Sequence, residues 1–585
     1  MTKYKGTQGD DTISGTNKKD NFDMSQGGND TVRTGGGADH VYFGAAFTAG
    51  DVIDGTGKKH SSEALATVEL NGDYSQGVVF GDKTMTKIAT LQLDGGHDYS
   101  LTFDAATSVD AIDASALQAS DTLIVDASRS GATSFLISGA GSTSYFGHGD
   151  VTLNSALDSA RDRLIMTAGG TLTLNAGEAQ PLTLGGSWIS NFQTVVLNGG
   201  IFDFTAADGF VPAGQVTNFV LSSDHFRKTT FTFNGSAETD GSFSFSGFHL
   251  DGTRISGSQN GDSFQDCRGT LLGGKGDDVF LSCSGDIGSG RGNDTFTFCG
   301  GTLHLENSGN VTITYSGGTY FMGASLDASD VVNNSSGTLV LDGDYSAGVV
   351  TSGIRGSIGF QFTAGHSYDL TLQDPDGSKT QTMAADGSTL GAGDKLTFNA
   401  EAEKEGDFVI TGGAGDDLLI GGQHLNTLIG GKGQDWLIGN IGNDRLTGGG
   451  GKDTLEGDGG NNLFRYDAVS DSTSIHYDTV VNFALTRDAF GVQARVTGVD
   501  AAVTGGLLDD SGAARIFDQQ LAAAVDAAHL AAHHAVLFTP DSGNLAGKIF
   551  LIVDQNGTAG YQAGQDLVIH MTGSDVSQLN AGNFH

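Results

Sequence analysis

Apolar residues recur at a fixed interval in the second half of the chain. Residues 412–465 divide without a gap into six segments of nine residues: GGAGDDLLI, GGQHLNTLI, GGKGQDWLI, GNIGNDRLT, GGGGKDTLE and GDGGNNLFR. The eighth position is always apolar, and the sixth position is always Asp or Asn. An apolar position that recurs between glycine-rich turns predicts short strands, each burying one side chain in a narrow core. The pattern therefore predicts a parallel β-roll rather than a flexible linker.

The sixth position has the chemistry of a calcium site. Glycines allow the positive φ angles of a tight turn, which would direct backbone carbonyls and a carboxylate toward one cation. Calcium binds about six to eight oxygen atoms of this kind. The candidate metal ligands are Asp417, Asp435, Asp444 and Asp453, with Asn426 and Asn462 in the remaining two repeats. Two repeats make one coil, so one side of the roll carries Asp417, Asp435 and Asp453, and we expect the stronger sites there.

A second block with the same period lies at the start of the sequence. The segments 6–14, 15–23, 25–33 and 34–42 each have aspartate at the sixth position, and Met24 is an inserted residue between two of them. The glycines of the second segment are degraded, so its turn departs most from the pattern. The candidate calcium ligands of this block are Asp11, Asp20, Asp30 and Asp39.

A third block, 257–304, repeats every sixteen residues. This period predicts one solenoid coil per copy, with a calcium turn on one side and a shorter turn on the other. The candidate ligands are Asp262, Asp278 and Asp294, and each copy also contains one cysteine: Cys267, Cys283 and Cys299. The cysteines would stack about one strand spacing apart. Three interpretations remain open for them: small buried apolar residues, a disulfide between neighbours and a thiolate metal site.

Two β-rich modules between these blocks are internal duplicates. LNGDYSQGVV at 70–79 returns as LDGDYSAGVV at 341–350. Alternating apolar residues with regular glycines predict the strands of a solenoid. Two His/Tyr pairs recur beside a glycine turn, which indicates a scaffold role rather than a binding site: His97 with Tyr99, and His366 with Tyr368.

Residues 466–585 have a different character. Ser511 can cap a helix, and the residues after it have one apolar face. Asp554 and Asp566 bracket a loop rich in oxygen ligands, for which a metal site and an ordinary hairpin turn are both open. We expect this region to cap the solenoid and to prevent edge-to-edge aggregation. The predicted strands are 535–538, 548–554 and 566–571.

Composition and charge narrow the range of partners. The chain has 585 residues with 92 Gly, 4 Pro and 3 Cys, and its formal net charge is −39. A collagen is excluded, because it needs glycine at every third position and abundant proline. A disulfide scaffold is excluded, because it needs more cysteine. An electrostatic field this negative repels phosphate backbones and anionic bilayers. We therefore expect no nucleic-acid partner. Multiple bound calcium ions, at two positive charges each, would neutralise much of this excess.

Membrane-spanning and enzymatic functions find no support in the sequence. No apolar run reaches the ~18 residues of a membrane helix, and the first residues lack an apolar signal-peptide region. His529 and His533 have the spacing of the metalloprotease motif, but Leu530 replaces its general-base glutamate. Nucleophile-elbow and phosphate-loop motifs are absent, and the repeats leave no room before residue 6 for a catalytic domain. We therefore expect no enzyme, although paired carboxylates of a polysaccharide-modifying enzyme leave no linear motif.

The nonapeptides resemble those of RTX, or haemolysin-type, calcium-binding repeat proteins. The LDGDYSAGVV segment also looks like parts of large proteobacterial RTX proteins of the surface-layer and extracellular-matrix type. The resemblance implies a protein of a Gram-negative bacterium, secreted to the exterior or cell surface by type I secretion machinery that reads a C-terminal signal. We expect a calcium-dependent structural protein that self-associates into a layer, matrix or filament. The alternative is a calcium-dependent adhesin that binds cell-surface polysaccharide.

The predicted fold is all-β: a parallel β-roll or β-solenoid with interleaved β modules and a small α+β cap. The expected domains are 1–44 (N-terminal calcium repeats), 45–256 (first β module), 257–320 (sixteen-residue solenoid), 321–411 (second β module), 412–465 (six-repeat β-roll) and 466–585 (C-terminal cap and secretion region).

Overall fold

The computed structural model describes residues 1–585 apart from 57–65, 105–106, 119, 130–133, 140–141, 148–149, 154–155, 158, 160–161, 168, 176, 178–179, 187, 223–229, 251, 374–381 and 574. Strands contain 48% of the residues and helices 3%, which confirms the all-β prediction. The chain forms two compact units, Met1–Asp294 and Thr295–His585. Each unit is built from parallel coils, as a β-solenoid requires.

One face of the first unit is a long parallel ladder to which successive coils add one strand each. Along each strand, side chains that point into the core alternate with side chains that point outward. Phe22 and Val41, for example, lie opposite each other on neighbouring strands, and both are buried. In chain order the strands of this ladder are Thr2–Lys5, Asp20–Asp23, His40–Gly44, Ala66–Leu70, Ile88–Leu93, Val109–Ala114, Ser134–Gly139, Asp150–Leu153, Thr171–Leu174, Thr194–Leu197, Val216–Leu221, Ser242–Ser246, Ser263–Gln265 and Val279–Leu281.

The remaining strands of the first unit form three shorter parallel ladders. The first contains Thr12–Ser14, Thr31–Arg33, Val52–Asp54 and Met85–Thr86. The second contains Tyr74–Phe80, Tyr99–Phe103, Thr122–Ala127, Ser142–Gly147, Arg163–Met166 and Ile189–Ser190. The third contains Leu182–Leu184, Ile201–Ala206, Thr230–Asn234, Arg254–Ser256, Arg268–Lys275 and Ser284–Arg291.

The sixteen-residue repeats form one coil each, with a short strand and a longer one. Phe264 and Leu271 point inward from the two strands of the first coil and are fully buried. Asp266 turns the chain between them with a positive φ of 51°. The three cysteines are buried and are not joined by disulfides. The thiol of Cys267 lies 3.3 Å from the carbonyl oxygen of Gln265, so the cysteines serve as small buried residues in this structure.

The second unit repeats the arrangement of two faces. On one face the parallel strands are Gly300–His304, Gly317–Gly323, Val331–Leu341, Ile354–Phe362, Met383–Asp386, Phe408–Thr411, Asn426–Gly433, Arg445–Gly451, Leu463–Arg465 and Ala489–Gly491, and Val311–Thr314 also pairs with Val331–Leu341. On the other face they are Tyr345–Thr351, Tyr368–Leu372, Leu396–Asn399, Leu418–Ile420, Trp436–Ile438, Thr454–Glu456, Asp478–Val481 and Asp566–Thr572.

The apolar eighth positions of the nonapeptides form the core of the roll. On one face Leu437 lies opposite Leu419 and Leu455, and on the other Leu446 lies opposite Leu428. These leucines are completely buried. One buried side chain per short strand is what the nine-residue spacing predicted.

The C-terminal region adds an antiparallel hairpin and a helix to the roll. Ile549–Asp554 pairs antiparallel with both Asp566–Thr572 and His534–Thr539. The helix Ala514–Ala524 buries Phe517 and Leu521 against this sheet. It begins without a side-chain cap, because the N-cap position is Ala513; Ser511, the predicted cap, lies two residues earlier and its hydroxyl bonds to Asp509. The other elements are the short strands Gly498–Val499 and Val503–Thr504 and the 3₁₀ turns Val469–Asp471 and Ala581–Asn583.

Candidate calcium centre

Aspartate side chains join successive coils on the first side of the roll. The N–H of Asp417 donates to Oδ1 of Asp435 at 2.8 Å, and the N–H of Asp435 donates to Oδ1 of Asp453 at 2.9 Å. Leu396 begins the series by donating its N–H to Asp417 at 2.7 Å. We call this series, extended below to Asp478, the first column. One oxygen of each carboxylate is thus held in place by the preceding coil.

The second oxygen lacks a donor in two of these carboxylates, whereas that of Asp417 accepts the N–H of Gly413 at 2.6 Å. Oδ2 of Asp435 and Oδ2 of Asp453 are buried and, within the described part of the chain, have no hydrogen-bond partner. A carboxylate oxygen removed from water without a donor is strongly destabilising. A cation would satisfy both oxygens, and an all-oxygen donor set of this kind suits calcium.

The first glycine of each repeat makes the space into which this oxygen points. A Cβ atom on Gly430 would lie 2.3 Å from Oδ2 of Asp435, and one on Gly448 would lie 2.4 Å from Oδ2 of Asp453. The next residue, Gly431, has a φ of +114° that side chains rarely adopt. Both glycines of the GG pair are therefore required, the first by the carboxylate and the second by the turn.

The electrostatics of the column also favour a cation. Burial, followed by the charges of Asp453 and Asp417, raises the pKa of Asp435 to about 8. Burial likewise raises the pKa of Asp453 to about 6. Stacked buried carboxylates resist ionisation unless a positive charge accompanies them, so a bound cation would favour the charged form of both groups.

The second column of the roll, on the opposite side, is poorer in carboxylates. The N–H of Asn426 donates to Oδ1 of Asp444, and the N–H of Asp444 donates to Asn462. The amide nitrogen of Asn426 donates to the carbonyl oxygens of Gly422 and Gly439 at 3.1 and 3.0 Å. These bonds give the turn carbonyls a protein donor in place of a cation. The larger number of carboxylates in the first column favours stronger calcium sites there than in the second column. The difference in calcium affinity stays a prediction.

A comparison with protein families identifies these repeats. The family model for the RTX calcium-binding nonapeptide repeat matches residues 25–46, 409–437 and 429–464, in 4 copies. The chain carries RTX calcium-binding repeats. The RTX repeat family binds calcium ions, and RTX repeats occur in secreted proteins of Gram-negative bacteria. A search of curated proteins finds no match to the chain.

The N-terminal RTX block contains two shorter columns. The N–H of Asp11 donates to Oδ1 of Asp30 at 2.9 Å, and that of Asp20 donates to Oδ1 of Asp39 at 2.8 Å. The second oxygen of Asp20 already accepts the N–H and the hydroxyl of Thr16, at 2.6 and 2.7 Å. Asp20, in the segment whose glycines are degraded, thus has protein donors where Asp435 and Asp453 have none.

The sixteen-residue block has the RTX geometry although the family match does not include it. The N–H of Asp262 donates to Oδ1 of Asp278 at 2.7 Å, and that of Asp278 donates to Oδ1 of Asp294 at 2.9 Å. Oδ2 of Asp278 is buried, and the described residues offer it no partner. Burial, with the charges of Asp262 and Asp294, raises the pKa of Asp278 to about 9. The block therefore fits calcium on the same grounds as the roll.

The two candidate ligands of the C-terminal hairpin have a different environment. Asp554 and Asp566 face each other across the hairpin and are buried. Both oxygens of Asp554 accept N–H groups, from Asn556 and Gly557 and from His533. Donors from the chain fill the coordination that a cation would use, which favours the hairpin-turn alternative; a metal at these residues stays an untested prediction.

A separate acidic group lies outside the repeats. Carboxylate oxygens of Asp208, Glu238 and Asp240 lie within 4.8 Å of one another. The buried Glu238 accepts the N–H groups of Val211 and Gly241. Its carboxylate is therefore held by the backbone.

The structure also shows column members that the sequence analysis missed. The N–H of Asp30 donates to Asp51, that of Asp453 donates to Asp478, and that of Asn462 donates to Asp488. None of the three is the sixth residue of a glycine-rich nonapeptide. A usable signal was present at Asp478, because Asp478–Val481 reads D-T-V-V and matches the second half of the repeat.

In the part of the chain that the structure describes, no helix could span a bilayer.

Proposed function

We propose that this chain is a secreted, non-enzymatic structural protein that folds on meeting extracellular calcium and then self-associates into a surface layer, matrix or filament. The observation that carries the proposal is the stack of buried aspartates with partnerless oxygens, as at Asp278, Asp435 and Asp453. Such a stack is strained without cations, so calcium controls whether the coils form.

Calcium linkage gives this control a magnitude. With a Kd of ~0.1 mM and ~1 mM calcium outside the cell, each occupied site stabilises the fold by about 1.4 kcal/mol. Ten sites would supply on the order of 10 kcal/mol, which is comparable to the stability of a whole domain. At submicromolar cytosolic calcium the contribution nearly vanishes. The chain would then stay unfolded during export and fold outside.

The duplicated modules support a scaffold role. The hydroxyl of Tyr74 donates to Gly44 at 2.7 Å, and its ring stacks on Tyr99 with centroids 5.8 Å apart. In the second module Tyr345 donates to Gly323 at 2.6 Å, and its ring stacks on Tyr368 at 5.9 Å. The repeated tyrosines thus hold turns in place, which is a structural use of both copies.

The metalloprotease-like histidines lie in a context unsuited to catalysis. Both His529 and His533 follow the end of the helix Ala514–Ala524, whereas the zinc motif needs its two histidines on one helix face. Leu530, in the place of the general base, is fully buried in the core of the C-terminal region. We therefore propose that this pair has a structural role.

Export by a type I system and attachment to cell-surface polysaccharide belong to the same proposal. They rest on the RTX repeats, which occur in secreted proteins of Gram-negative bacteria. The formal net charge of −39 adds a physical reason, because calcium bridging between acidic surfaces would favour association outside the cell.

Electron microscopy of the purified chain tests the proposal. Ordered sheets or filaments are expected in millimolar calcium and none in excess chelator. Calcium-saturated, folded protein that remains monomeric at all concentrations would contradict the structural role. Turnover of an acidic polysaccharide by the calcium-loaded chain would contradict the non-enzymatic assignment.

One observation favours the adhesin as a second candidate. Phe298 and Tyr315 are 59% and 55% exposed, and their rings stack with centroids 5.4 Å apart. Both occupy the turn position that has a positive φ in each coil of this block, as at Asp266, so the turn directs the two rings outward from successive coils. Flat exposed rings can pack on the apolar face of a sugar. Glycan-array binding that is lost on substituting both by alanine would favour the adhesin.

A further inference from the structure

Part of the long ladder in the first unit has an outer face without charged side chains. Along six neighbouring strands, the side chains that point away from the core are half-buried or exposed, and none of them is charged. We call these outward side chains the neutral face. The strands are Thr171–Leu174, Thr194–Leu197, Val216–Leu221, Ser242–Ser246, Ser263–Gln265 and Val279–Leu281.

Charged side chains lie on another wall of the same stretch of chain. Every residue of the neutral face is Thr, Ser, Val, Asn, Gln or Leu, although 17% of the residues of the chain are charged. The third ladder of the first unit, by contrast, has Asp203, Arg254, Arg268 and Asp286 among its outward residues. The lack of charge is therefore a property of this face and not of the surrounding sequence.

The side chains of the neutral face suit burial against a second flat surface. Parallel pairing keeps them in straight rows, with Asn218 opposite Ser244 and Val220 opposite Ser246. Threonine and valine are branched at Cβ and therefore stiff, and serine is short. Ordering such side chains costs less conformational entropy than ordering lysine or glutamate. Their hydroxyl groups can form hydrogen bonds across a contact, either directly or through water.

The charge of the chain indicates which partner this face fits. The formal net charge is −39, so two copies repel each other over most of their surfaces. Like charges that meet in a contact are strongly unfavourable. A contact through the neutral face keeps the carboxylates of both copies outside the contact. A basic partner would instead favour the carboxylate-rich surfaces, so the neutral face fits a second copy of itself.

We propose that two copies of this chain pair through their neutral faces. The proposal rests on the self-association proposed above and names the surface that makes it. Six strands at ~4.8 Å and a depth of five residues at ~3.3 Å give about 500 Å² per copy. The pair would bury about 1,000 Å², which is near the lower limit for a specific interface, so pairing should be reversible. A contact between identical faces closes at two copies, and larger assemblies would be built from such pairs.

Candidate calcium ligands border the neutral face. Asp262 immediately precedes the strand Ser263–Gln265, and Asp278 immediately precedes Val279–Leu281. The N–H of Phe243, in the strand Ser242–Ser246, donates to Oδ1 of Asp262. The turns that hold three of the six strands therefore depend on these carboxylates. We expect the face to be flat, and the copies to pair, only when calcium is bound.

The test places a charge at the centre of the neutral face and measures pairing of the full chain by sedimentation velocity in millimolar calcium. Ser244→Asp is the test variant. Thr232→Asp is the matched control, because Thr232 points outward in the third ladder between Asp203 and Arg254. Ser244→Asp should weaken pairing by at least about tenfold, and Thr232→Asp should pair like the unmodified chain.

The outcomes separate this proposal from the proposed function. Equal association of the unmodified chain and both variants would overturn the neutral face as the contact and leave self-association standing. A folded unmodified chain that stays monomeric would overturn both. Binding of a neutral polysaccharide by such monomers, lost in Ser244→Asp, would assign the face to a glycan instead of a second copy.

A pair of cysteine variants decides the case if Ser244→Asp does not fold. Ser244→Cys and Thr232→Cys each add one outward thiol with little change in size, whereas the three native cysteines are buried. A short bifunctional maleimide in calcium should link Ser244→Cys into dimers, and it should leave Thr232→Cys and the unmodified chain as single chains. Equal cross-linking of the two variants would overturn the proposal.

Discussion

Replacing Asp435 by asparagine tests the calcium assignment at the centre of the first column. Asparagine keeps an acceptor oxygen for the N–H of Asp417, and the roll already contains asparagine in this position at Asn426. The change therefore leaves the shape of the turn intact and removes a charge. Any loss of stability can then be attributed to the cation.

The expected magnitude follows from the neighbours of Asp435. It lies between Asp417 and Asp453, so it borders two gaps between coils. With a Kd of ~0.1 mM per site, losing both ions at ~1 mM calcium lowers the free energy of unfolding by about 3 kcal/mol. In metal-depleted buffer the sign reverses, because the variant removes a buried carboxylate that lacks a partner for Oδ2.

The assay is denaturant unfolding followed by circular dichroism at several calcium concentrations. Asp416→Asn is the control, because Asp416 is the exposed neighbour of Asp417 and the substitution removes the same charge. Asp435→Asn should be the less stable variant in calcium and the more stable one without metal. Equal behaviour of the two variants would refute the assignment of Asp435 as a ligand.

Three further predictions concern the same roll. Asn426→Asp should add one calcium ion, because it places a second carboxylate where the amide now bonds Asp444 at 2.8 Å; an unchanged ion count would contradict this. In metal-depleted buffer, the raised pKa values of Asp435 (about 8) and Asp444 (about 7) mean that their contribution to stability is full below about pH 4 and is lost as the pH rises toward 8. Circular dichroism should thus show more β structure at pH 5 than at pH 8, and a flat profile would count against it. Leu437→Ala should cost about 2–5 kcal/mol in calcium by opening a cavity, measured by denaturant unfolding, whereas Trp436→Ala, at a 49% exposed side chain of the same strand, should cost much less.

The repeats made most of the calcium columns predictable. A nine-residue period with two repeats per coil implies that side chains eighteen residues apart are neighbours, and Asp417 and Asp435 are bonded at that separation. The eighth position predicted the core leucines, since only one side chain per short strand can point inward. Both inferences depend on local geometry that the period itself imposes.

The ends of the columns were not predictable in the same way. Asp478 is bonded at a separation of 25 residues rather than 18, because the intervening loop is longer and folds against the C-terminal hairpin. The helix start was also misjudged: Ser511 bonds to Asp509 instead of capping the helix. Such contacts depend on residues that are distant in the chain, and the repeat period carries no information about those residues.

The bonds between coils run in both directions along the columns. The side chains accept in one direction: the N–H of Asp417 donates to the carboxylate of Asp435, and that of Asp453 donates to Asp478. The main chain accepts in the other direction, because the N–H of Trp436 donates to the carbonyl oxygen of Asp417. Each coil therefore supplies acceptors to both of its neighbours, and removing a repeat from either end leaves buried N–H groups without acceptors. A shortened roll should thus need a new cap at whichever end is cut.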